Sequence, residues 1–202
     1  MLYKKPSTHE FQFIAGNLAL DFVNTVGNRL GAQRDYLSDT AEFRRWARLA
    51  GFLDNQAPPT LSKTKLPLVR QVREELYALF RPLAMSRGVT RRALHELNSR
   101  LSRTIGKRQL CCSQETVVWI WRTSRDDPDR VLAPVLLSAA NLLVSRFRNQ
   151  IRQCEGESCG WLFLDRSKAG TRRWCSMTDC GNRVKVRRYY HKHLTTYSQA
   201  TN

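Results

Sequence analysis

Four cysteines near the C-terminal end, Cys154, Cys159, Cys175 and Cys180, constrain the fold of this chain more than any other feature of it. They read C-x4-C-x15-C-x4-C, two evenly spaced pairs around an insert, Gly160 to Trp174, of hairpin length. A tetrahedral Zn2+ takes four soft ligands about 2.3 Å away, and cysteine pairs at the two ends of a hairpin can supply them. The other readings are reduced structural cysteines or two disulfides. Disulfides belong to secreted chains, and the stretch from Met1 to Phe13 carries Lys4 and Lys5 with no apolar run behind them. A cytoplasmic location is therefore expected, with thiols available for Zn2+. Cys111 and Cys112 fall outside the pattern and read as small core residues of an apolar strand.

Charge sets the class of partner. Thirty-four Lys and Arg face 17 acidic residues in 202 positions, a net charge of +17. A zinc tetrathiolate subtracts two, leaving a strong field for polyanions. Nucleic acid is the expected partner, DNA first with RNA as the alternative. No membrane association is expected. The longest apolar stretch, Val131 to Val144, is interrupted by Pro134, Ser138 and Asn141 and is too short for a span of about 20 residues.

The expected fold class is mainly α: a helical N-terminal domain over 1–150 with one small β-hairpin, then a treble-clef-like zinc module over 151–197. Leu18, Phe22, Val26 and Leu30 recur at helical spacing and predict a helix over 17–30, with Asp21, Asn24 and Thr25 as a polar stripe beside them. Ser38 or Asp39 caps a second helix that buries Phe43, Trp46, Ala47 and Ala50, and Gly51 suits its stop. Residues 54–65 read as a loop. A long helix starts at Pro67 and should kink or end at Pro82. Thr90 to Arg103 is amphipathic, with Leu94, Leu97 and Leu101 inward. Arg108 to Cys112 and Thr116 to Trp121 read as a hairpin. A last long helix is predicted from Arg130 to Ile151, with Leu136, Ala139, Leu143, Phe147 and Ile151 inward, running straight into Cys154. No Gly/Ser linker separates the parts. The helical part, to about residue 145, is expected to fold without metal.

Within the zinc module, Trp161 to Leu164 and Thr171 to Trp174 read as two strands. Ser176, with Asp179 three residues on, has capping-box spacing, so a helix should begin near Met177 and carry Cys180 in its first turn. A knuckle, a hairpin and a helix donating the last ligand resemble a treble clef. On that helix, Lys185, Arg188 and Lys192 share a face and are the first choice for phosphate contacts. Arg187, on another face, and Arg172 and Arg173, before the third cysteine, extend the basic patch. Arg183 has two readings, a contact to nucleic acid or a donor lying over the thiolates. Trp161, Trp174, Tyr189 and Tyr190 read as core before base-stacking platforms. His191 and His193 are not needed as ligands.

The run Trp174-Cys175-Ser176-Met177-Thr178-Asp179-Cys180-Gly181-Asn182-Arg183 resembles the CGNR zinc finger family, and Cys159-Gly160-Trp161-Leu162-Phe163-Leu164-Asp165-Arg166-Ser167 matches that family's approach to the second cysteine pair. Leu18-Ala19-Leu20-Asp21-Phe22-Val23-Asn24-Thr25-Val26 resembles the ABATE domain that usually precedes the finger. The family is bacterial and is described as transcription regulators, which implies DNA binding here.

No enzyme is expected. The chain has no phosphate-binding loop, no G-x-S-x-G, no H-E-x-x-H and no dinucleotide fingerprint, and a four-thiolate zinc keeps no open position for water. Asp21, Asn24 and Thr25 form the one candidate effector pocket, against a plainer role in capping and interhelix hydrogen bonds. The resulting expectation is a zinc-containing DNA-binding regulator whose helical part is a sensor or a homodimerisation domain. The alternative is a zinc-stabilised RNA-binding or protein-interaction adaptor.

Overall fold

Asn17 starts the first helix. Its Oδ1 accepts from the backbone N–H of Ala19 at 2.9 Å and of Leu20 at 3.4 Å, and α1 runs over Leu18–Val23. The computed structural model describes the backbone of residues 11–51 and 61–199, with side chains as far as residue 190. The expected helix over 17–30 stops after six residues, for a tertiary reason. The chain turns at Asn24 and Thr25, and β1 (Val26–Gly27) pairs antiparallel with β2 (Arg34–Asp35). Beyond it, the N–H groups of Arg29 and Leu30 donate to the carbonyls of Cys159 and Ser158 at 3.0 and 3.1 Å. Leu30, expected on the buried stripe, is exposed. Docking on the cysteine region overrides the helical period here.

Helix α2 (Thr40–Leu49) is capped by Asp39, whose carboxylate accepts from Ala41 and Glu42, and Gly51 ends it at φ +79°. Its Phe43, Trp46 and Ala47 are buried, with the Trp46 ring 5.0 Å from that of Phe22. The loop expected over 54–65 lies outside the described residues as far as Thr60, and Lys63–Lys65 form a 3-10 turn. Helix α3 (Leu66–Ala84) carries Pro67 in its first turn and includes Pro82, ending two residues later. Helix α4 (Arg91–Ile105) is capped by Thr90; it buries Leu97 but leaves Leu94 exposed.

The expected hairpin is present as β3 (Arg108–Ser113) and β4 (Thr116–Trp121), with Leu110 opposite Trp119. It is not core. Cys112 is exposed and Cys111 half-buried, because the hairpin stands out from the helices. Helix α5 covers Asp129–Val144, shorter than the expected 130–151. Ser145 leaves the helical region at φ −82°, ψ 160° and caps a 3-10 turn over Arg146–Gln150. Ile151, expected on the helix, begins β5 (Ile151–Gln153) instead.

Strand β5 pairs antiparallel with β6 (Leu162–Leu164), Gln153 opposite Leu162. The zinc-module hairpin is therefore formed by the segments flanking the first cysteine pair, not by Trp161–Leu164 with Thr171–Trp174. The latter segment is irregular, tied to the knuckle by the N–H of Glu155 donating to the carbonyl of Arg173 at 3.0 Å. A π-type turn over Met177–Gly181 leads into α6 (Asn182–Gln199). Among the described residues, the elements are mainly helical with three small two-stranded antiparallel sheets, and no helix is long and apolar enough to cross a membrane.

Helix α1 packs on α3 and α5, α4 covers α3 and α5, β5 lies against α3, and β6 lies against α1. Leu162, Phe163, Leu164 and the four finger cysteines belong to the same buried cluster as Phe22, Phe80 and Leu136. The hydrophobic core is thus continuous from the helices to the cysteine site, which bears directly on the expectation that the helical part folds independently.

Candidate metal centre

Strand β5 delivers Cys154 at its end, where the Cys154 N–H extends the ladder to the carbonyl of Trp161 at 2.8 Å. The chain reverses through Glu155–Ser158 and returns at Cys159, whose N–H donates to the Gly156 carbonyl at 2.9 Å. Gly156 sits in tight space: a Cβ there would be 3.2 Å from both Cys159 Cβ and Cys180 Sγ, so either neighbour would have to give by a few tenths of an ångström. Gly160 follows at φ +66°, where a Cβ would also meet Arg29 and Leu30 at 2.9 Å. Asp165 organises the next loop, accepting from Ser167 N–H at 3.0 Å and Arg172 N–H at 2.9 Å. The Ser176 hydroxyl accepts from Asp179 N–H at 3.2 Å and starts the turn that carries Cys180.

All four Sγ atoms lie within 4.8 Å of one another and all four residues are buried. The Cys159–Cys175 and Cys175–Cys180 sulfur separations are 3.7 and 3.6 Å. A disulfide requires about 2.05 Å. The edge of a tetrahedron with ligands about 2.3 Å from its centre is about 3.8 Å. These two separations match the edge of a Zn2+ tetrathiolate, and the donor set fits the metal.

Hydrogen bonding around the sulfurs fits it equally well. Backbone N–H groups of Gly156 and Cys175 point at Cys154 Sγ at 3.4 and 3.3 Å, and Arg183 Nη2 donates to Cys180 Sγ at 3.2 Å. The Cys154 thiol is pulled strongly down by hydrogen bonds from Cys159, Cys175 and Cys180, whereas Cys159 and Cys175 are pushed up by donating to Cys154. Four buried sulfurs this close need a divalent cation to ionise together.

The family models agree with this geometry. Residues 150–193 match the CGNR zinc finger, and residues 16–146 match ABATE, described as a putative stress-induced transcription regulator. The chain belongs to the ABATE family. No curated protein matches it. The ABATE match ends at the start of the 3-10 turn that follows α5, and the CGNR match takes in β5 and the whole cysteine cluster.

The expected basic residues of the finger divide by environment. Arg172 is turned inward: its Nε donates to the Trp174 carbonyl at 3.0 Å, Nη2 to the carbonyls of Cys175 and, at 3.5 Å, Ile14, and its guanidinium lies 4.4 Å from the Phe163 ring centre. Arg173 pairs with Glu155 and Arg187 with Glu157. Arg183 lies on the thiolate. Lys185 and Arg188 are exposed on α6. Lys192 is on the same helix, with its side chain outside the described residues, as are those of His191 and His193. Trp161 is buried and donates from Nε1 to the Val26 carbonyl at 2.7 Å, while Tyr189 and Tyr190 are exposed.

Of the polar stripe of the ABATE part, Asn24 bonds to the finger. Asn24 Nδ2 donates to the Leu162 carbonyl at 2.8 Å and its Oδ1 accepts from Leu162 N–H at 2.9 Å. Thr25 Oγ1 donates to the Phe22 carbonyl at 2.7 Å. Asp21 accepts from Ala15 N–H at 2.9 Å, and burial pushes its carboxyl up to about 6, against the hydrogen bonds from the Ala15 and Ile14 backbone. Each of the three is occupied by a protein partner.

Sequence reasoning missed the clasp on the other side of the knuckle. Arg29 is buried, reaches Glu74 at 2.8 Å and the Val23 carbonyl at 2.7 Å, and lies 4.0 Å from the centre of the Tyr77 ring. Glu74 also holds Arg73 at 2.8 Å, and Arg73 grips Asp35 at 2.6 and 2.9 Å. Arginines and acids this far apart along the chain carry no local pattern; only the paired burial of Arg29 and Arg73 reveals them.

Proposed function

We propose that this protein is a zinc-containing DNA-binding transcription regulator, with the CGNR finger as its DNA-binding element and the ABATE part as the regulatory body, and that it is not an enzyme. The observation that carries the reading is the mounting of α6. Cys180 and Arg183 fix its first turn to the cysteine site, and Lys185 and Arg188 project from it into solvent. A rigid helix with exposed cations is suited to phosphate contacts along a duplex. Arg172 and Arg173 contribute little to that surface, being engaged with carbonyls and Glu155. A sensor role for the ABATE part would require a ligand to displace one of the hydrogen bonds of Asp21, Asn24 or Thr25.

The test is a salt titration of binding by zinc-loaded protein to selected and random duplexes. The reading requires salt-sensitive binding to both and an excess for selected sequences that persists as salt rises. Binding equal for all sequences would remove the regulator reading. The adaptor reading would then lead, supported by the exposed Val186, Tyr189 and Tyr190 on α6.

A further inference from the structure

The contacts of Arg172, a half-buried side chain of the finger, converge on one ligand of the metal centre. Its Nε donates to the carbonyl of Trp174 at 3.0 Å, and its Nη2 donates to the carbonyl of Cys175. Those two carbonyls belong to the peptide groups on either side of the Cys175 Cα. A planar guanidinium that holds both fixes the backbone at Cys175. It thereby fixes the direction in which that side chain leaves the chain.

The Trp174–Cys175 peptide carries the same grip to a second sulfur. Its oxygen accepts from Arg172 Nε, and its N–H donates to Cys154 Sγ at 3.3 Å. A cation on the oxygen of a peptide polarises the N–H at the other end, so hydrogen bonds in such a chain strengthen one another. One side chain therefore acts on Cys175 through its position and on Cys154 through a hydrogen bond.

Arg172 is itself held in place. Its guanidinium lies 4.4 Å from the centre of the buried Phe163 ring, and Nη1 reaches the Leu164 carbonyl at 3.4 Å. The Arg172 backbone N–H donates to Asp165 Oδ2 at 2.9 Å. Among the described residues the guanidinium bonds to carbonyls rather than to a carboxylate, so its charge is not spent on an ion pair. A zinc tetrathiolate carries two negative charges. Arg183 sets one guanidinium on Cys180 Sγ, and Arg172 sets a second on the backbone of Cys175. Arg173, the next residue, is the contrast: it is exposed and its guanidinium pairs with Glu155.

We infer that Arg172 is a positioning residue of the metal centre. It orients Cys175, strengthens the N–H bond to Cys154 and brings a positive charge to the thiolates, and all three raise the affinity of the site for Zn2+. The role stands on the finger's own contacts and is independent of what α6 binds.

The test is the Zn2+ affinity of the full-length protein, by competition with a chromophoric chelator. The visible bands of the Co2+-substituted protein are read beside it, because they report the geometry of the four sulfurs. Arg172→Gln removes the charge and the fork; it should weaken Zn2+ binding by about 10- to 100-fold and change the Co2+ bands. Arg172→Lys keeps the charge and cannot bridge both carbonyls, so its affinity should lie between that of the Gln variant and wild type. Arg173→Ala removes only an exposed ion pair and should stay within about twofold of wild type. A purely structural arginine would instead lower the melting temperatures of zinc-loaded and chelated protein alike, with Zn2+ affinity and Co2+ bands unchanged. That result, or an Arg172→Lys protein equal to wild type, would overturn the inference. Zinc-loaded wild type gives a measurement that needs no variant. The Nε–H of Arg172 should exchange with solvent far more slowly than that of the exposed Arg188. Equal exchange rates would also sink the assignment.

Discussion

Asn24 and Leu162 are hydrogen-bonded to each other in both directions, side-chain amide to backbone peptide, at 2.8 and 2.9 Å. The Asn24 side chain thereby takes the place of a neighbouring strand for β6, and it does so from the end of α1. Both groups of Leu162 are buried, so removing the amide leaves a donor and an acceptor unmet. Asn24→Ala should cost about 2–4 kcal/mol in urea unfolding of the zinc-loaded protein. Asn24→Asp should cost more, because a carboxylate cannot donate to the Leu162 carbonyl and adds a buried charge. Equal stability of Asn24→Ala and wild type would show that this bond does not join the two parts.

Metal removal should therefore act on the whole chain. The cysteines share one core with Phe22 and Leu136, and β6 lies against α1. The expected outcome is a single cooperative melt, shifted to lower temperature by chelation, with helical and tryptophan signals moving together. Two separate transitions, with the helical one unmoved by chelator, would restore an independently folding helical part.

The cysteine cluster and most elements were legible in the sequence because each is a local pattern: cysteine spacing, the Asp39 cap, the 3.6 period of α3. What escaped it is set by distant partners. Helix α1 ends at Val23 because Asn24, Arg29 and Leu30 bond to the knuckle and β6 some 130 residues away. Helix α5 ends at Val144 because the segment after it must bring Ile151 opposite Leu164. Apolar periodicity continues across both breaks, so it cannot mark them. Cys111 and Cys112 misled for the converse reason: an apolar strand predicts a buried sheet, and among the described residues no layer covers the outer face of this hairpin.

Asp21 gives a pH signature. Its carboxyl is raised from 3.8 to about 6, chiefly by burial, so the folded chain holds the proton more tightly than the unfolded chain. This group's contribution to stability is greatest below about pH 4 and is lost as pH rises through about 6. Asp21→Asn keeps an acceptor for Ala15 N–H and removes the buried charge. It should gain up to about 3 kcal/mol at pH 7 relative to wild type. The difference between the two should shrink on going from pH 7 to pH 5. Comparing the two proteins at each pH cancels the acid release of zinc. A difference independent of pH would show that Asp21 does not titrate in this range.

Arg183 separates metal support from nucleic-acid binding. Its guanidinium sits 3.2 Å from Cys180 Sγ and is held above its ordinary value, the thiolate charge outweighing the loss of solvent. Arg183→Ala should weaken zinc binding by about 10- to 100-fold, measured by competition with a chromophoric chelator. Arg183→Lys should recover part of it, since an ammonium supplies the charge without the planar fork. Unchanged zinc affinity in Arg183→Ala would free this residue for a direct role in binding DNA.

The basic face of α6 supplies the remaining prediction. Lys185 and Arg188 are exposed, unlike Arg172, whose guanidinium is bonded to backbone carbonyls, and Lys192 follows on the same face of an unbroken helix. Each duplex phosphate that a cation no longer neutralises should lower the slope of log K against log salt by about 0.9. Changing all three to Ala should flatten that slope by the equivalent of up to about three phosphates and weaken binding most at low salt. Zinc content and melting temperature should hold, because Lys185 and Arg188 stand clear of the cysteines and the core. Removing Arg187 alone should matter less, since Glu157 already neutralises it. A triple variant that keeps both its zinc and the wild-type salt slope would place the DNA-binding cations on another surface, and α4, with Arg91, Arg92 and Arg103 in solvent, would be the next helix to change.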